Sequence, residues 1–214
     1  MKIGFLLYPH VTQLDLTGPA QVFAAAGEVE LYFVWKNLEP IRTDASLCLL
    51  PNSTFESCPP LDLLCVPGGP GQLPLMSDPV VLEWLGRQGQ QAQWVTSVCS
   101  GSLLLGAAGL LNGYRAASHW NYRKHLAAFG AIANDARVVC DRNRITGGGV
   151  TAGIDMALHV LGVLFGETRA QQVQLHLEYA PQPPFNCGRP ELVSEVLVAQ
   201  VRARLEQQMA SATQ

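Results

Sequence analysis

The segment Trp94-Val95-Thr96-Ser97-Val98 passes straight into Cys99-Ser100-Gly101-Ser102 and then into an apolar stretch over residues 103–111, with no polar loop between them. A short apolar run with β-branched residues, followed at once by a helical stretch, reads as a strand turning directly into a helix. The small residues at 97 and 100–102 permit the sharp turn. A chain built this way must cross over a sheet before its next strand pairs, so alternating strands and helices imply a mostly parallel sheet covered on both faces.

The same alternation recurs along the chain. Residues 3–8 read as a first strand, followed by a loop carrying Asp15 and a helix over 18–26. Residues 29–35, 47–50 and 61–66 read as further strands, the last running into the turn Pro67-Gly68-Gly69-Pro70-Gly71. Asp78-Pro79 opens a helix, with Asp as N-cap and Pro at the first position. Beyond the junction come a helix over 119–129 closed by Gly130, a hairpin over 137–146 and a helix over 151–164. In that last helix Ile154, Leu158 and Leu161 share a face. Two more helices are expected around Pro181 and Pro184, with fraying from Ala210 onward. At 214 residues the chain is sized for one core, so residues 1–214 are expected to form a single domain.

Charged residues make up 14% of the chain against a usual value of about 25%, which favours a compact fold with apolar surface left for a subunit interface. The net charge of −3, with no Lys/Arg cluster, argues against nucleic acid as a partner. Pro9 and Asp15 break the first apolar run, and no apolar stretch reaches the length of a membrane span, so a cytoplasmic protein without membrane contact is expected. The six cysteines form no CxxC pair and are expected to be reduced and mostly buried.

Cys99 stands apart from the other five. At the amino end of a helix it faces unpaired N–H groups and the positive end of the helix dipole, which favour thiolate over thiol. Cys48, Cys58, Cys65, Cys140 and Cys187 have no such setting and read as packing residues. Asp15 is the candidate acid on topology, since loops after parallel strands collect functional groups; locally it reads equally well as a turn or capping residue. The N–H groups of Gly69 and Ser100 are candidates to stabilise a developing anion. Gly69-Pro70-Gly71 lacks the third glycine of a dinucleotide fingerprint. His119 is either a pocket residue or a structural one, and His159 reads as core. No histidine has metal-ligand spacing, and no metal site is expected.

With Asp15 early, Gly68-Gly69 after a strand, Cys99 at the elbow and Ser118-His119 beyond it, the sequence resembles the DJ-1/PfpI superfamily along nearly its whole length. That resemblance implies a flavodoxin-like three-layer sandwich with a nucleophile elbow, of the class I glutamine amidotransferase-like kind. Within the superfamily several blocks resemble the isocyanide hydratases: Gln13-Leu14-Asp15-Leu16-Thr17-Gly18-Pro19, residues 95–102, Gly106-Ala107-Ala108-Gly109-Leu110-Leu111, residues 146–155 and Leu177-Glu178-Tyr179-Ala180-Pro181.

The narrower resemblance implies hydration of an isocyanide to an N-substituted formamide through a Cys99 thioimidate, with Asp15 as general acid and base and no cofactor. A carboxylate beside a thiolate is disfavoured by like-charge repulsion, so Asp15 should hold a proton. Thr17, His119 and Val150 are expected to line the pocket, and a homodimer is expected. Ser100 stands where these hydratases usually carry Thr, which keeps the hydroxyl. A Ser rather than a His after the nucleophile argues against a peptidase, and Asp15 is shorter than the Glu of DJ-1 itself. Two other readings stay open: a ligand-binding or thiol-sensing module like those fused to helix-turn-helix regulators, and a glyoxalase-type enzyme using the same thiol.

Overall fold

Leu63–Val66 and Arg144–Gly147 are buried at every position, as strands covered on both faces of a parallel sheet must be. The computed structural model describes residues 1–211. Its first half runs β1 (Lys2–Leu6), α1 (Gln13–Ala26), β2 (Glu30–Trp35), β3 (Ile41–Arg42), β4 (Cys48–Leu49), β5 (Ser53–Thr54), β6 (Leu63–Val66), α2 (Gln72–Leu75) and α3 (Pro79–Gln91). The second half runs β7 (Trp94–Ser97), α4 (Gly101–Ala107), β8 (Arg115–Ala116), β9 (Ile132–Ala133), β10 (Val138–Asp141), β11 (Arg144–Gly147), α5 (Ala152–Phe165), α6 (Glu167–His176) and α7 (Glu195–Ser211). Asp78 caps α3 as expected, its side chain accepting from the N–H groups of Val80 and Val81.

Seven strands form the central sheet in the order β10-β11-β7-β6-β1-β2-β5, parallel throughout except for the β10–β11 hairpin. The layer of α1, α5 and α6 packs on one side, and α3 and α4 belong to the other. One row of the register crosses the sheet through Phe33, Phe5, Cys65, Thr96, Ile145 and Cys140. Chain order reverses between β1 and β6, so the loops leaving their carboxyl ends diverge and open a crevice there. The loop after β7 starts level with the one after β6, because Val66 pairs with Ser97.

Several local expectations are corrected. Asp15 is not in a loop: α1 begins at Gln13, and Asp15 lies fully buried in its first turn. Gly18-Pro19 reads as a helix start, yet the helix runs through it, because Pro19 deletes only the bond to the Asp15 carbonyl. Residues 47–50 do not join the main sheet: β4 pairs only with β3, and the sheet edge is β5. The helix after Cys99 stops at Ala107, where Gly109 turns left-handed and the Leu110 N–H reaches back to the Leu105 carbonyl. Residues 123–129 form a 3-10 helix, closed at Gly130. The two late helices, α6 and α7, flank the proline segment rather than occupying it.

On α5 the buried positions are Ala152, Gly153, Met156, Ala157, Val160 and Leu161, whereas Ile154 and Leu158 are half-covered and His159 is exposed rather than core. Cys48, Cys140 and Cys187 are exposed, Cys58 is intermediate, and only Cys65 and Cys99 are buried. In the edge strands alternate side chains face solvent, which a search for apolar runs does not distinguish.

Candidate active site

Cys99 sits at the elbow between β7 and α4 with φ +57°, a left-handed backbone that costs a non-glycine residue about 1–3 kcal/mol. Neighbours on every side hold it there. The Val98 N–H donates to the Val66 carbonyl at 3.1 Å and the Cys99 N–H to the Gly147 carbonyl at 3.2 Å. The Ser118 and Ser102 hydroxyls donate to the Cys99 carbonyl at 3.1 and 3.3 Å. Gly68 is required by close approach, because a Cβ on it would fall 2.6 Å from the Ser100 nitrogen.

Asp15 reaches this elbow from α1. Its Oδ2 accepts from the Gly68 N–H at 2.9 Å, and the Thr12 N–H donates to the Gly68 carbonyl at 2.9 Å, so helix and glycine loop are tied twice. Oδ1 is buried without a hydrogen-bond donor, and the Cys99 thiol is the side chain that couples to the carboxyl. Burial pushes the Asp15 carboxyl up to about 8, against the pull of the Gly68 N–H.

The thiol is corrected in the opposite sense from the expectation. Burial, followed by the charge of Asp15, pushes Cys99 well above its ordinary value, and the Ser100 N–H and hydroxyl offset this only in part. α4 has seven residues, and its amino end does not outweigh the desolvation of a sulfur on the pocket floor. The two groups titrate as a pair that releases its first proton near pH 8.

The expected anion site also changes. The Gly69 N–H donates to Ser100 Oγ at 3.3 Å and the Gly68 N–H to Asp15, so both turn donors are engaged within the protein. The backbone N–H of Ser100 is the donor that faces the sulfur.

A cavity of about 500 Å³ opens above Cys99; His119 and Val150 line it as expected, together with Gly69 and Ser100. Thr17 is not brought to it. Two residues along a helix rotate a side chain by about 200°, and Thr17 donates to Gln13 Oε1 at 2.8 Å beside a separate hollow formed with Leu49 and Leu50. Burial lowers His119 to about 4, so its ring is neutral at pH 7; Nδ1 accepts from the Asn121 N–H at 3.3 Å. Tyr122 and the α7 residues Arg204, Leu205 and Met209 also line it and were not anticipated. The spacing of three between His119 and Tyr122 was the available signal for the first; nothing local marks α7. Among the described residues no group of three His, Cys, Asp or Glu is placed to hold a metal, and no helix is long and apolar enough to cross a membrane.

A parallel α/β sandwich with a cysteine at its strand-to-helix elbow and an acid from the first helix defines the class. Residues 1–162 match the DJ-1/PfpI family, and the chain belongs to that family. It is 52% identical over 204 residues to the isonitrile hydratase of Pseudomonas putida, a match spanning 95% of this chain and 90% of the relative. It is 33% identical over 171 residues to the HTH-type transcriptional regulator GbdR of Pseudomonas aeruginosa, covering 75% of this chain but 46% of the regulator. The crystal structure of a ThiJ/PfpI family protein from Pseudomonas syringae superposes with a TM-score of 0.94 at 45% identity, covering 99% of this chain and 88% of that one.

Proposed function

We propose that this protein hydrates isocyanides, R–N≡C, to N-substituted formamides, R–NH–CHO, without a cofactor. The observation that carries the reading is the coupling of the Asp15 carboxyl to the Cys99 thiol on the floor of the cavity. The similarity to an isonitrile hydratase over nearly the whole chain supports it.

The pair reacts in the form holding one proton, with sulfur as nucleophile and Asp15 as acid. The Cys99 sulfur bonds to the terminal carbon of the isocyanide, and the Asp15 proton passes to that carbon, giving the thioimidate R–N=CH–S. The Asp15 carboxylate then takes a proton from water as the water oxygen attacks the same carbon, and passes that proton to the substrate nitrogen. The carbon–sulfur bond breaks as the C=O forms, releasing the formamide and returning one proton to the pair. The Ser100 N–H and hydroxyl stabilise the sulfur anion whenever it is free.

In this reading residues 1–214 work as one unit, in the cytoplasm, as a homodimer. The exposed Val196, Leu197 and Val201 of α7 and the low charge content support an interface. A monomeric mass by light scattering would remove the dimer.

Incubation of the purified protein with cyclohexyl isocyanide should yield cyclohexylformamide, and Cys99→Ala should yield none. Unchanged isocyanide with the wild-type protein would overturn the reading in favour of a binding module. Faster turnover of methylglyoxal than of the isocyanide would move it to a glyoxalase.

A further inference from the structure

α7 is an unusual element. Among its described residues none is fully buried, and the residues leading to it, 180–189, are exposed at every position. Its partly covered positions are Val198, Leu205 and Met209, and spacings of seven and four put them on one helical face with Arg202. Leu205 and Met209 border the same cavity as Cys99 and Ser100. The helix therefore forms the outer wall of the active site with little core packing to keep it there.

Arg202 supplies an attachment. Its Nε donates to Asn121 Oδ1 at 3.0 Å, and its guanidinium lies 5.7 Å from the ring centroid of Trp120. Asn121 is buried and also hydrogen-bonds Tyr122, which lines the cavity. One side chain thus connects α7 to the segment that carries His119 and Tyr122.

The cavity is far larger than the reaction needs. About 500 Å³ is in the range that encloses most of a drug-sized molecule, whereas an isocyano carbon and nitrogen fill only the floor beside Cys99. The lining presents more apolar than polar surface: Pro70, Tyr122, Val150, Leu205 and Met209 contribute to it beside an uncharged His119, and its polar members include Asp44 and, on α7, Arg204 and Gln208.

We propose that α7 is the specificity wall of the site, selecting isocyanides whose nitrogen carries a bulky, predominantly apolar group, with Arg202 as the positioning residue that seats it. This rests on the isocyanide reading. Leu205 and Met209 contact the far end of the substituent, and Arg202 acts through Asn121 without touching substrate.

The test compares kcat/KM for 2-naphthyl isocyanide and methyl isocyanide. The wild-type ratio should favour the naphthyl compound by about tenfold or more. Leu205→Ala and Arg202→Ala should each lower the ratio about fivefold, mainly through KM of the naphthyl compound. Arg202→Lys keeps a cation over Trp120 and should recover about half of the loss. A wild-type ratio near one, or a ratio unmoved by Leu205→Ala, would overturn the proposal while leaving hydration intact. Alkylation of Cys99 by N-phenylmaleimide relative to iodoacetamide, read on the Cys99 peptide by mass spectrometry, gives a ratio independent of turnover. It should fall in the same variants. If no isocyanide is hydrated the parent reading fails, and an alkylation ratio unmoved by Leu205→Ala rejects the α7 wall separately.

Discussion

The Gly68 N–H donates to Asp15 Oδ2 at 2.9 Å, joining the loop after β6 to the first turn of α1 across 53 residues of sequence. That bond turns the carboxyl toward the elbow and satisfies one of its oxygens. The other, Oδ1, has no donor, and a buried carboxylate so poorly solvated is more stable with its proton retained. Asp15 and Cys99 therefore act as one proton-sharing unit.

The pH dependence of turnover follows from that unit. Below about pH 8 both groups hold protons and the sulfur is a poor nucleophile; once the first proton leaves, the remaining one is shared between carboxyl and thiol, and the fraction of the pair with the sulfur ionised no longer changes with pH. kcat/KM for a neutral isocyanide should rise about tenfold per pH unit up to about pH 8 and then level off. Iodoacetamide labelling of Cys99 should show the same inflection. A profile flat from pH 6 to pH 9 would contradict the coupling.

Stability should show the same proton with the opposite slope. The folded chain keeps it up to about pH 8, whereas the unfolded chain releases it near the ordinary value of 3.8. The stabilisation from this group is thus complete below about pH 4 and is lost as pH rises to 8, at a slope of at most roughly 1.4 kcal/mol per pH unit. Asp15→Asn keeps an acceptor for Gly68 and removes the titration. Its melting temperature should exceed that of the wild type by a margin that widens between pH 4 and 8, while turnover falls about 10²- to 10⁴-fold. A constant margin would place the wild-type carboxylate charged throughout that range.

Which parts of this site were legible in the sequence depends on how local the physics is. Cys99 stood out because a strand, a small-residue turn and a helix are consecutive there, and the Asp78 cap and the left-handed Gly130 are equally local. Asp15 was found by topology but misplaced, since Gly18-Pro19 resembles a helix boundary. Only the tertiary structure shows why Gly18 is there: its missing Cβ leaves room for Ile154 of α5, whose Cγ1 would lie 3.2 Å away. The charge state of Cys99 was misread because a helix end is visible locally while burial is not. The α7 wall was invisible for the same reason.

Ser100 tests the anion-stabilising arrangement. Its hydroxyl accepts from the Gly69 N–H and, with its backbone N–H, draws the thiol's proton affinity down. Ser100→Ala leaves the Gly69 donor without that partner and should reduce kcat/KM at pH 7 about tenfold, with the labelling inflection of Cys99 displaced upward. Ser100→Thr retains the oxygen and should stay within about threefold of wild type. Equal losses in the two variants would assign the effect to packing rather than to the hydroxyl.

Gly101 tests the elbow itself. A Cβ there would lie 2.1 Å from the Val66 carbonyl oxygen and 2.8 Å from the Pro67 carbonyl carbon, and both are backbone atoms at the carboxyl end of a central strand. Backbone cannot swing aside as a side chain can, so Gly101→Ala must push α4 away from β6. The expected loss is about 2–3 kcal/mol, a fall in melting temperature of roughly 5–10 °C in a chain of this size. Turnover should fall further than stability, because an elbow displaced by about 1 Å misaligns the sulfur by enough to cost about 10²-fold. Gly86 in α3 is the control: a Cβ there meets nothing within 4 Å, so Gly86→Ala should gain up to about 1 kcal/mol from helix propensity and keep full activity. If Gly101→Ala matched that control in both measurements, the close contact between α4 and the Val66 carbonyl would not be what holds Cys99 in its left-handed conformation.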